Sequence, residues 1–125
     1  MLITIIILYL FYFFVNTCYN ITGDYMTLKN NIKVKICNNF FNRLIGLMFK
    51  KEIKEGLCFP KCNSIHTFFM KINIDVIMTD KDFNILYIYK NLKPNKIILP
   101  KKNVYYTFEL PVNKSNFKLN EKVCK

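Results

Sequence analysis

Residues 62–80 read CNSIHTFFMKINIDVIMTD, and the fold turns on how this stretch is read. Its second half, from Ile74 onward, is rich in β-branched residues and reads as a strand. The next four residues, KDFN, are turn-forming, and ILYIYKNL (85–92) reads as the returning strand. Residues 74–90 therefore predict a β-hairpin, and HTFFM (66–70) predicts a further strand before it. The same stretch holds the chain's single histidine, His66, and two of its eight acids, Asp75 and Asp80. It thus raises a second question, whether these residues are site chemistry or sheet.

Outward from the hairpin, IKVKIC (32–37) alternates apolar and basic residues as a half-buried edge strand does. Phe41, Leu44, Ile45 and Met48 recur at helical spacing, with Asn38 or Asn39 placed to cap the first turn, so a short helix is predicted over 39–49. LCFP predicts a brief strand near 57–59. NVYYTFEL (103–110) puts Val104, Tyr106, Phe108 and Leu110 on one face and Tyr105, Thr107 and Glu109 on the other. KLNEKVC (118–124) is a candidate closing strand. The expectation is a mainly β (α+β) domain, a small antiparallel sheet curled into a barrel with one short helix near residues 39–49.

The chain has 125 residues, enough for one domain. Its +11 charge comes from lysines scattered over the whole domain, which reads as a solvated face and not as a nucleic-acid surface. Residues 2–15, LITIIILYLFYFFV, are apolar except for Thr4. They match an export signal or a membrane anchor, expected over 1–19, although no Lys or Arg precedes them. Cys18 has the position of a lipoprotein cysteine. Residues 20–31 read as a linker and 32–125 as the domain. The expected location is extracytoplasmic, exported or anchored in the membrane through residues 2–19. NIT at Asn20 and NKS at Asn113 match glycosylation triplets that are frequent in so Asn-rich a chain.

NRLIGLMFK (42–50), the stretch 62–82, NLKP (91–94) and YTFELP (106–111) resemble, in order and spacing, the domain of unknown function 192 family, in its shorter branch. The resemblance spans about residues 34–124. The family's Arg-x-x-Gly-Leu-Met element is similar to Arg43, Gly46, Leu47 and Met48, and its Phe-Trp-Met segment to Phe68, Phe69 and Met70. Its Leu/Ile-Asp element resembles Ile74 and Asp75, its strand-ending acid Asp80, and its Leu-Glu-Leu element Phe108, Glu109 and Leu110. Phe69 replaces the usual tryptophan, Asn73 the usual proline and Phe83 the hairpin-turn glycine. The resemblance implies a small β-barrel-like domain and brings no agreed reaction, cofactor or catalytic residue with it.

Arg43 is the sole arginine among nineteen basic residues. Its planar guanidinium suits either a bracing salt bridge to Asp75 or Glu109, or a bound anion. Arg43, His66, Asp75 and Glu109 are the candidate ligand-binding residues, for a small-molecule or anionic ligand in a non-catalytic, envelope-associated binding or accessory domain. The alternative is a small thiol-dependent hydrolase, with Cys62 as nucleophile and His66 as base. Cys58, Cys62 and His66 are spaced four apart, but Pro60 breaks the helix that would align them. No metal or cofactor is expected, and Met48, Met70 and Met78 read as core. Among the domain's four cysteines, Cys58 to Cys62 and Cys37 to Cys124 are the disulfides to test first.

Overall fold

The computed structural model describes residues 2–7, 24–38, 43 and 45–124. Eight strands follow in chain order: β1 (Asp24–Thr27), β2 (Lys33–Ile36), β3 (Gly56–Pro60), β4 (Ile65–His66), β5 (Ile74–Thr79), β6 (Ile85–Leu92), β7 (Ile97–Ile98) and β8 (Tyr106–Leu110). Six of them form one sheet in the order β1-β2-β3-β8-β5-β6, while β4 and β7 pair as a separate ribbon.

The expected hairpin is present: β5 pairs antiparallel with β6, Ile77 facing Ile88 and Met78 facing Tyr87. Its turn is organised by Asp80, whose carboxylate accepts the amides of Asp82 and Asn84, each at 2.9 Å. Every residue of β5 is buried, as a strand paired on both edges with both faces covered requires.

Side-chain alternation divides the core into two clusters on opposite faces of the sheet. Cys58, Ile77, Phe108 and Leu110 pack with Leu28, Val34, Phe117 and Val123 on one face. Leu57, Phe59, Val76 and Met78 pack with Leu47, Met70 and Ile98 on the other. The first face is covered by the 3-10 turn region and the C-terminal segment. The second is covered by the segment around Leu47 and by the β4–β7 ribbon.

Several expectations are corrected. The sheet does not close into a barrel: β1 and β6 end it without pairing to each other. With a separate layer over each face, burial is achieved without closure. Nor is the sheet wholly antiparallel, because β2 runs parallel to β3. The connection between them, from Ile36 to Gly56, is long enough for the crossover that parallel pairing needs. Residues 24–31, expected as linker, supply the edge strand β1 and a 3-10 turn (Lys29–Asn31). Lys33 lies over the Tyr25 ring at 4.2 Å, so this edge carries an exposed charge.

The strand expected over 66–70 stops at His66. Thr67 is fully buried; its hydroxyl donates to the Lys93 carbonyl and accepts the Lys96 amide, both at 2.8 Å. The chain then turns through Phe68 and Phe69 instead of continuing along β7. The closing strand near 118–124 is reduced to one bridge, Asn84 to Lys122.

Most of the helix expected over 39–49 lies outside the described residues, within which Arg43 and Ile45 are helical and residues 46–49 form a turn. Residues 2–7 are helical, and residues 8–23, with the rest of the apolar run and Cys18, lie outside the described residues. Among the described residues no helix is long and apolar enough to cross a membrane.

Asparagine does much of the turning in a chain with three glycines. Asn30, Asn31, Asn91, Asn95, Asn103, Asn113 and Asn120 all hold positive φ, the left-handed region that asparagine tolerates best after glycine.

Candidate functional site

Between the second face of the sheet and its covering layer lies a cavity of about 110 Å³. Arg43, Cys62, His66 and Glu109 line it, with Met48 and Phe59 among its apolar walls. Three of the four candidate ligand-binding residues therefore converge. Arg43 comes from the helical segment, His66 from β4 and Glu109 from β8, one residue before its end.

Glu109 is the most unusual group in the cavity. Its register opposite Leu57 of β3 and Val76 of β5 fixes its side chain on the covered face, where it is 4% exposed. Its Oε2 is buried without a hydrogen-bond partner among the described residues. Burial pushes the carboxyl up to about 8, so it is largely protonated at neutral pH. Gly46 makes room for it: a Cβ at that position would lie 3.6 Å from Oε2 and 3.4 Å from Phe59 Cζ, and the residue holds φ +48. Gly46 belongs to the family-like motif, but its place over this carboxyl is not legible in the sequence.

His66 has a defined hydrogen-bonding state. Its Nδ1 accepts the Phe68 amide at 3.3 Å, which leaves Nε2 carrying the proton in the neutral ring. Burial lowers its pKa from the usual imidazole value, so the ring is neutral at pH 7. Phe68 stacks on it with ring centroids 5.1 Å apart.

Arg43 makes neither expected salt bridge. Its guanidinium donates to the Lys61 carbonyl at 2.8 Å, and the ion pairs among the described residues are Lys54–Glu52 and Lys90–Asp75. That contact anchors one edge of the guanidinium, and a carbonyl leaves its positive charge uncompensated.

Asp75 lies elsewhere. Although 1% exposed, it accepts the Asn91 amide at 2.8 Å, the Asn113 amide at 3.3 Å and the Ser115 hydroxyl at 3.4 Å, with Lys90 Nζ at 3.7 Å. These contacts tie the irregular end of β6 to the loop after β8. Asp75 is thus a fully engaged structural carboxylate, because the hairpin's register carries it away from the cavity.

Cys62 shares the cavity with His66, but the two are not hydrogen-bonded. The Cys62 thiol donates to the Ser64 carbonyl at 3.1 Å, and the His66 acceptor nitrogen is taken by Phe68. The thiol–imidazole couple of the hydrolase alternative is not assembled in this geometry. No group of three metal-ligating side chains occurs among the described residues.

The four described cysteines are free. The two pairs to test first, Cys58 with Cys62 and Cys37 with Cys124, are not bridged, and the members of each pair pack with different core clusters: Cys58 and Cys124 with the first, Cys37 and Cys62 with the second. Burial pushes the Cys37 thiol up to about 11 and that of Cys58 up to about 12.

This architecture has relatives. A UPF0127 protein of Pyrococcus horikoshii is 40% identical over 85 residues, which cover 63% of this chain and 72% of that one. A UPF0127 protein of Pyrococcus abyssi is 34% identical over 98 residues, covering 74% and 82%. A third, from Thermococcus kodakarensis, is 37% identical over 86 residues, and the match spans only 54% of its length.

Among solved structures, a protein of unknown function from Novosphingobium aromaticivorans superposes with a TM-score of 0.68 at 16% identity, over 85% of this chain and 89% of that one. A putative transcription regulator from Sinorhizobium meliloti superposes with a TM-score of 0.61 at 16% identity, over 77% and 87%. At such identity these two share the fold alone. The DUF192 family model, described as "Uncharacterized ACR", matches residues 23–119, and the chain belongs to that family.

Proposed function

We propose that the domain is a non-catalytic binding module whose cavity receives a compact polar ligand. The observation that carries this reading is Glu109, a buried carboxyl with an oxygen that has no partner among the described residues, facing a cavity that also presents His66 and Arg43. A buried polar atom without a partner costs on the order of 1–3 kcal/mol, so its retention favours a partner that arrives from outside. The cavity volume of about 110 Å³ limits that partner. Clefts that enclose a whole drug-sized ligand run from about 300 to 1,000 Å³, so only a very small molecule or the tip of a larger one fits.

The apolar run at residues 2–15 supports an extracytoplasmic setting, with the domain exported or held at the membrane through residues 2–19 as an envelope accessory module.

A thermal-shift panel of compact acids, amides, amines and sugars on the full-length chain tests the binding reading. Stabilisation by at least one class is expected, and Glu109→Leu is expected to abolish it. Turnover of a panel compound that disappears in Cys62→Ser would instead establish a thiol enzyme, and a panel without any stabiliser would remove the binding reading.

A further inference from the structure

We propose that the ligand of this cavity is a carboxylate on a short apolar stem, held between the guanidinium of Arg43 and the buried carboxyl group of Glu109. The inference rests on the binding reading above and names its chemical class.

Three donors converge. Arg43 spends part of its guanidinium on the Lys61 carbonyl and keeps further N–H groups, for which a carboxylate is the best geometric match. The neutral His66 ring has its proton on Nε2, because Nδ1 accepts the Phe68 amide. Glu109, buried and protonated near neutral pH, donates one further hydrogen bond. With the Cys62 thiol already engaged to the Ser64 carbonyl, the cavity offers one permanent positive charge and two neutral donors. That combination is complementary to a single negative charge with two acceptor oxygens, and it repels an ammonium group. Beyond the polar end, Ile45, Met48, Phe59 and Met70 provide a wall for a few methylenes.

The neighbouring cleft strengthens the sign of the field. It shares Ile45 and Gly46 with this cavity and is lined by Lys35, Lys50 and Lys54 against Glu52 and Glu55. The lysines outnumber the acids, so an anion approaches a positive surface. A free short-chain acid and a carboxylate carried at the tip of a larger molecule present the same chemistry to the site.

The pH dependence follows from protonation. The titratable and charged groups facing Glu109 are Arg43, Cys62 and His66 in the cavity and Cys37 just beyond β2. Between pH 6.5 and 9.5 the His66 ring, whose pKa burial lowers, is predominantly neutral and the Cys37 thiol, near 11, stays protonated. Glu109 loses its proton through about pH 8, which turns a donor into a repelling anion.

The test is calorimetric titration of the full-length chain with sodium butyrate, N-acetylglycine, butyramide and n-butylamine at pH 6.5 and 9.5. Butyrate is expected to bind at pH 6.5, and its affinity is expected to fall by about tenfold or more at pH 9.5. Arg43→Ala should weaken it about tenfold at both pH values. In a Cys62→Ser background, which removes the cavity's other acid, Glu109→Gln, whose amide cannot ionise, should bring the ratio of affinities at the two pH values to about 1. Binding of butyrate alone supports a free short acid, and tighter N-acetylglycine supports a carboxylate on a longer molecule. If n-butylamine or butyramide binds more tightly than butyrate, the carboxylate assignment is overturned while the binding cavity stands. If none of the four probes binds, neither the assignment nor its supporting reading survives.

Discussion

The backbone amide of Phe49 donates to the carbonyl of Phe69 at 2.9 Å, and the two rings stack with centroids 5.7 Å apart. Both residues hold positive φ, at 66° and 63°, in a region that non-glycine residues rarely occupy. This double contact joins the turns that carry Met48 and Met70 to the cavity. Each strained backbone costs about 1–2 kcal/mol, offset by the bond and the ring pair. Phe69→Gly is expected to relieve one strained residue and lose the stack, changing unfolding free energy by less than about 1 kcal/mol. The lost stack should loosen the turns beside Met48 and Met70, which reduced hydrogen-exchange protection of the Phe49 amide would report. Unchanged protection would contradict a bracing role.

Glu109 predicts a pH-dependent stability with a definite sign. Its pKa rises from 4.5 in the unfolded chain to about 8 in the folded protein, so the folded state binds the proton more tightly. Its contribution is fully present below about pH 4.5 and is lost as pH rises through about 8. Glu109→Gln removes this loss. Urea unfolding at pH 8.5 should find the variant more stable than the parent by a few kcal/mol, on the order of 3, with a smaller difference at pH 4.5. Equal differences at both pH values would mean that the carboxyl is not desolvated.

Gly56 and Gly46 separate packing from site. A Cβ on Gly56 would lie 2.6 Å from Leu110 Cδ2, 2.8 Å from Val34 Cγ1 and 2.9 Å from the Glu109 carbonyl oxygen. Gly56→Ala should therefore cost about 2–3 kcal/mol in denaturant unfolding. Gly46→Ala meets no contact shorter than 3.4 Å, but its φ of +48 strains alanine, at a cost of about 1 kcal/mol. The new methyl group would sit over Glu109, so this milder variant is the one expected to weaken ligand binding in the thermal-shift panel.

Asp75→Ala should be among the most damaging substitutions. It removes the acceptor of two amides and a hydroxyl, at a cost of about 1–3 kcal/mol for each donor left buried without a partner, while half-exposed Lys90 keeps its contacts to Ser115. If Asp75 only ties the hairpin to the loop after β8, the milder Asp75→Asn should leave butyrate affinity at the parental value while lowering Tm. A loss of affinity matched to that of Arg43→Ala would place Asp75 at the site.

Alternation and turn chemistry made the sheet readable in advance. The run from Ile74 to Leu92 specified its hairpin because β-branched residues flank a short polar turn, and Phe108 and Leu110 alternate with Thr107 and Glu109 as the pleat demands. Phe83 shows where local rules stop. It holds φ 65 where the family has glycine, and it is tolerated because its ring stacks on Tyr106 at 4.5 Å, a partner more than twenty residues away.

What the sequence determined by itself was therefore the strand-rich class, the hairpin and the family, all of which rest on residues near one another in the chain. Whether the sheet closes, that β2 and β3 run parallel, and which cysteines share a face depended on pairings between distant segments, to which local periodicity is blind. The same holds for the site. Asp75 and Glu109 look alike as acids within apolar strands, but register sends one into a full set of donors and the other, without a partner for Oε2 among the described residues, into the cavity beside Arg43 and His66. Which buried acid is structural and which awaits a ligand is decided by the donors that the folded chain brings to it.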